Sequence, residues 1–132
     1  MNLIIAEMSY LNAFTTQLIN FFEELCTVFP EEKDIKMATE GLRGVKKINP
    51  RLMLDLFINH VYKDCAAAIY EKNVDVIQQV AQAKIATQFN EMLSALSLFN
   101  KHWYTLSSKN QDVIWQYLQV LCKLVEKNMD KV

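Results

Sequence analysis

Glycine and proline are nearly missing from this chain: Gly41, Gly44, Pro30 and Pro50 are the whole stock in 132 residues. So small a supply leaves few obligatory turns and excludes a glycine-rich phosphate loop. An excess of one charge is also lacking. The 14 basic and 15 acidic side chains leave a net charge of -1, so no global field draws the protein to nucleic acid or anionic lipid, and any such attraction must be local. No apolar run approaches the roughly 18 residues of a bilayer span. The opening Leu3-Ile4-Ile5-Ala6 is too short for a signal core, has no basic residue before it, and closes at Glu7. Cys26, Cys65 and Cys122 are odd in number and widely spaced among apolar neighbours. They read as buried thiols of a reducing compartment, not a disulfide framework. A soluble intracellular protein is expected.

What is present is helical periodicity, on a 52% hydrophobic chain of one-domain length. Leu11, Phe14, Leu18, Phe21, Leu25 and Val28 alternate steps of three and four, which predicts a helix over 9–29 with Ser9 as its N-cap. A second seam, Ile19, Phe22, Cys26 and Phe29, makes the apolar face broad enough for a central helix or a dimer contact. Phe29-Pro30 ends it. The acidic Glu31, Glu32 and Asp34 then open a helix to about Lys47 with Ile35, Ala38, Leu42 and Val45 inside. Gly41 and Gly44 cost about 1 kcal/mol each in a helix interior, which favours a close helix contact at these positions over an early helix end near Gly44.

Asn49-Pro50 restarts the chain as cap and first helical residue. The helix that follows is apolar nearly all round, through Met53, Leu54, Phe57, Val61, Cys65 and Ile69, and is expected to be the most buried. A pause falls at Glu71-Lys72-Asn73. Ala81, Ile85, Phe89, Met92, Leu96, Phe99, Trp103 and Leu106 then trace a near-heptad seam, predicting one long helix over 74–104. Ser108 with Gln111 matches a capping box and opens the last helix, with Ile114, Leu118, Leu121 and Val125 inward and fraying near Lys127. The whole reads as all-α: a single-domain bundle of about five helices spanning 1–132, neighbours packed antiparallel.

Several of these segments carry a family likeness. Gln17-Leu18, Phe22-Glu23-Glu24-Leu25, Phe29-Pro30-Glu31-Glu32-Lys33-Asp34-Ile35 and Asn49-Pro50-Arg51 resemble, in order and separation, a group of small all-α proteins of giant nucleocytoplasmic large DNA viruses, marseillevirus-like ones included. Trp103, Leu106-Ser107, Asn110 and Trp115-Gln116-Tyr117-Leu118 resemble that group's close. Around residues 71–84 the group's Gly-Asp loop is replaced by Asn73-Val74-Asp75 and a Gln/Ala-rich stretch. The resemblance implies viral origin and expression in a host cell, and it brings no activity with it.

Candidate chemistry is thin. His60 and His102 are the only histidines, and although His60 and Asp64 share a helix face, no second pair completes the three or four ligands of a zinc site. Cys65 lies five residues from His60, off its face, and no Gly-x-Ser-x-Gly elbow occurs. No catalytic residue, metal or cofactor is therefore assigned. The clearest local signal is Arg43, Lys46, Lys47 and Arg51, four cations with no acid between Gly41 and Arg51, including both arginines of the protein. They suit phosphates or an acidic partner. They suit better still a solvated role that complements a helix C-terminus, with Arg51 paired to Asp55 at i+4. Trp103, Tyr104, Trp115 and Tyr117 have the spacing of core packing more than of base stacking. The expected function is a non-enzymatic interaction or structural protein working through helical surfaces, with a protein partner or a homodimer. The alternative is a nucleic-acid-associated accessory protein using the four cations.

Overall fold

The computed structural model describes the backbone over residues 3–88 and 90–129, and side chains from Ser9 onward within that range. Among these residues there are seven α-helical segments and no strand: α1 Leu3–Val28, α2 Lys33–Ile48, α3 Pro50–Phe57, α4 Lys63–Glu71, α5 Val74–Ile85, α6 Glu91–Lys101 and α7 Ser108–Met129. A π-helical turn, Ile58–Tyr62, joins α3 to α4 in one rod, and a 3-10 turn, Trp103–Thr105, follows α6. Six helical rods result where about five are expected.

The boundaries follow side-chain chemistry. At Asn49 the Oδ1 accepts from the Leu52 amide at 3.3 Å, and Pro50 takes the first helical position. The α4 helix ends in a Schellman arrangement, with the Asn73 amide on the Ala68 carbonyl at 2.8 Å and Lys72 in the left-handed region at φ 57°. Asn73 then caps α5 by accepting from Val76 at 3.3 Å.

Paired contacts along the rods fix their directions. Between α1 and α2, Cys26 meets Thr39, Glu23 meets Arg43 and Thr16 meets Lys46. Between α1 and α7, Phe21 packs on Tyr117 while the Asn128 amide reaches the Tyr10 carbonyl at 3.2 Å. Both pairs are antiparallel, with α1 in the middle and α3 also against it, through Phe14 edge-on to Phe57. The two seams of α1 are consequently used inside the chain: Phe14, Leu18, Phe21, Phe22, Leu25 and Phe29 are all buried. Each such side chain contributes about 1.5–3 kcal/mol of transfer free energy.

Six local expectations are corrected. The first helix starts at Leu3, not Ser9, because no breaker separates Leu3 from Ser9 and Ala6, Glu7 and Met8 tolerate helix. The long helix over 74–104 is two helices. Lys84 accepts the Thr87 and Gln88 amides, Asn90 caps α6 through the Leu93 amide at 3.2 Å, and the chain folds back so that α5 and α6 pack together. Phe89, a member of the seam, lies outside the described residues. The last helix is capped by Ser107, whose Oγ accepts from Asn110 at 3.1 Å, while Gln111 Nε2 donates to the Trp103 carbonyl at 2.9 Å instead of closing a box. It runs on to Met129. The most enclosed element is α6, in which Met92, Leu93, Leu96, Leu98 and Phe99 are buried, whereas the rod formed by α3 and α4 keeps a polar face. Of the glycines, only Gly41 is a close approach, its Cβ position 3.2 Å from Glu91 Oε2; Gly44 faces open space and α2 passes straight through it.

Candidate interaction surface at the corner of α2 and α3

The four cations sit along the last turns of α2 and the first of α3, but they are not equivalent. Antiparallel packing brings Glu23 of α1 to Arg43, whose guanidinium donates to that carboxylate and to Glu40 on its own helix. Lys46 Nζ lies 3.4 Å from Thr16 Oγ1 on α1. Arg51 Nε is 3.7 Å from Asp55, the i+4 pairing expected from spacing. Lys47 is exposed, and Lys46 and Lys47 complement the C-terminal end of the α2 dipole. Two neighbours missed in the sequence complete this corner. Ile48 is 87% exposed and Leu52 42% exposed. Ile48 follows Val45 by three and so reads as inward, yet α2 stops there and the side chain overhangs the end of the bundle.

The other candidates resolve into structural roles. Asp64, the helix-face partner of His60, instead holds Lys84 Nζ at 2.6 Å, and the same ammonium donates to the His60 carbonyl at 3.2 Å. A π turn displaces carbonyls from the regular ladder, and Lys84 meets one of them. The His102 ring stacks on Phe29 at 5.0 Å, with Nε2 3.6 Å from Glu32. Among the described residues no three His, Cys, Asp or Glu side chains gather in a metal-binding group. All three cysteines are free thiols. Burial pushes the Cys65 thiol up to about 11 and Cys122 up to about 12, so neither carries useful thiolate at neutral pH. Tyr62 and Tyr70 both donate to Glu126 Oε2 at 3.0 Å, bracing α4 against α7. Trp103 and Trp115 are buried around Phe99, Tyr117 leans on Phe21, and Tyr104 alone of the four aromatics is outside at 74% exposure.

Two shallow surface grooves lie away from the corner. One of about 250 Å³ lies between α2 and α6 beside Asp34, Met37, Asn90, Glu91 and Ser94. The other, of about 310 Å³, runs between α1 and α7 beside Gln17, Val113, Tyr117 and Val120. The α2–α3 corner offers cations, exposed aliphatic carbon and hydrogen-bonding groups close together in the chain. No protein family, curated protein or solved structure shows significant similarity to the chain.

Proposed function

We propose that this chain is a non-enzymatic interaction or structural protein that works through its helical surfaces. The observation that supports it is aliphatic side chain left outside the core: Ile48 stands clear of the bundle while 30 apolar residues among those described are buried within it. A single exposed aliphatic residue is ordinary, but Ile48 and Leu52 flank one turn and together offer contiguous apolar area that a partner can cover. Viral origin, and hence a place in host cytoplasm or virion, rests on the resemblance of the Phe-Pro-acidic and Asn-Pro-Arg segments. The breadth of α1 is spent inside the monomer, so homodimerisation rests on the exposed residues alone.

The second reading, a nucleic-acid accessory role, draws on Lys47 and Arg51 at the surface, against which stand the carboxylates already joined to Arg43 and Arg51. Tagged protein recovered from expressing host cells, with and without nuclease, separates the two. Defined proteins that persist after nuclease are the expected result. Loss of everything with the nucleic acid, together with steeply salt-sensitive duplex binding that the joint Ala replacement of Arg43, Lys46, Lys47 and Arg51 removes, replaces the first reading with the second.

A further inference from the structure

One end of the bundle differs from the rest of the surface. It is the end where α1 begins, α2 hands over to α3, and α7 finishes, as the Asn128–Tyr10 and Lys46–Thr16 contacts establish. Ile48 and Leu52 project there on either side of the Asn49-Pro50 turn, and Lys47 and Arg51 alternate with them along the chain. Tyr10 and Met129 expose further apolar surface at the same end. The acids described nearby are engaged: Asp55 with Arg51, and Glu126 with two tyrosine hydroxyls.

We infer that this end docks on an anionic phospholipid surface, with Ile48 and Leu52 entering the interfacial layer and Lys46, Lys47 and Arg51 meeting the headgroups. The inference rests on the surface-interaction reading and names one partner for it. Three features favour this occupant. Ile48 is 87% exposed at the turn between two helices, so it presents an apex instead of lining a groove, and a bilayer interface accepts an apex without shaped complementarity. The apex is aliphatic and its flanks are basic, the combination by which interfacial segments combine apolar burial with attraction to acidic lipids, the long basic stems lying along the interface. Like charge on the flanks also opposes a second copy facing this end, since a two-fold axis would set the lysines of one chain against those of the other. Duplex phosphates would use the cations and leave Ile48 without a role. The arrangement docks peripherally, since among the described residues no helix is long and apolar enough to cross a membrane.

The test is co-flotation of the full chain with phosphatidylcholine vesicles and with vesicles that also contain phosphatidylserine. Binding to the serine-containing vesicles only, weakened by salt, is expected. Lys46→Ala and Lys47→Ala should each weaken it about fivefold, and Ile48→Asp should weaken it about tenfold or more. Because Ile48 is exposed but ends α2, where a carboxylate opposes the helix dipole, its variant should melt only a few degrees below the wild type; Leu52→Asp, in the first turn of α3 where a carboxylate suits the dipole, provides a second apex variant. The inference is overturned if anionic vesicles are not bound, if neutral vesicles are bound equally, or if Ile48→Asp and Leu52→Asp bind as wild type. Duplex DNA binding that survives Ile48→Asp, with no vesicle binding, assigns the cations to nucleic acid instead. Failure on vesicles with proteins still recovered after nuclease removes the lipid partner and leaves the interaction reading in place.

Discussion

At the residue scale, position on a helix decides consequence more than residue type. Met37 and Leu42 belong to the same helix, yet Met37 is 71% exposed and Leu42 is fully enclosed. Leu42→Ala should cost about 2–5 kcal/mol in denaturant unfolding, the lost transfer energy plus the cavity left between α1, α2 and their neighbours. Met37→Ala should change stability by no more than about 0.5 kcal/mol. Equal losses at the two sites would mean that α2 is turned about its axis relative to the arrangement described. Among the cations the same lesson holds. Arg43 reads as one of four equivalent charges along the sequence, but the partner that sets it apart, Glu23, is twenty positions away and enters only when α2 folds back along α1.

At the element scale, punctuation carried by side chains is legible and punctuation carried by backbone alone is not. Asn49-Pro50 announces itself because each residue has a dedicated job at a helix start. The break after Ile85 does not: Thr87 and Gln88 are unremarkable, no glycine or proline intervenes, and Ala81, Met92, Leu96 and Phe99 keep near-heptad spacing across it. Only Asn90 hints at the cap it forms. The π turn is hidden for a related reason, since one extra residue in a turn shifts phase without changing composition. Lys72 is the most exposed of these backbone devices to test. A lysine in the left-handed region bears strain that glycine lacks, so Lys72→Gly should stabilise the protein by about 0.5–1 kcal/mol, the strain relieved less the added entropy of glycine in the unfolded chain. Calorimetry that shows a lower Tm for this variant would place the helix end elsewhere.

At the scale of the whole molecule, the all-α class was legible throughout, because apolar side chains recur at helical spacing and the glycine and proline needed for many tight turns are absent. The candidate surface was legible only in its charges. Ile48 and Leu52 look like core by spacing, and their exposure depends on where α2 stops and in which direction α3 leaves. The interior has a pH signature of its own. Cys65 and Cys122 hold their protons to about 11 and about 12 through burial, and burial followed by the Glu126 hydrogen bond raises Tyr62 and Tyr70 as well. The unfolded chain releases its thiol protons first, near pH 8.5. The native state then binds more protons than the unfolded one, so stability falls as pH rises. It should be flat through neutral pH and decline above about pH 9, by up to about 1.4 kcal/mol per pH unit for each thiol. Urea titrations across that range check it, and Cys122→Ala should flatten the slope; a slope that the variant leaves unchanged would point to the tyrosines.

The pairing of Tyr10 with Asn128 also bears on how the protein is made. A ribosome delivers α1 first, and α2 and α3 can cover two of its flanks as they emerge. The flank bearing Phe21 waits for Tyr117, and the start of the helix waits for Asn128, more than a hundred residues later. At roughly 5–20 residues per second that flank stays wet for several seconds of synthesis. During that interval the growing chain carries an oily strip that a holding chaperone would recognise, and the last helix acts as its lid.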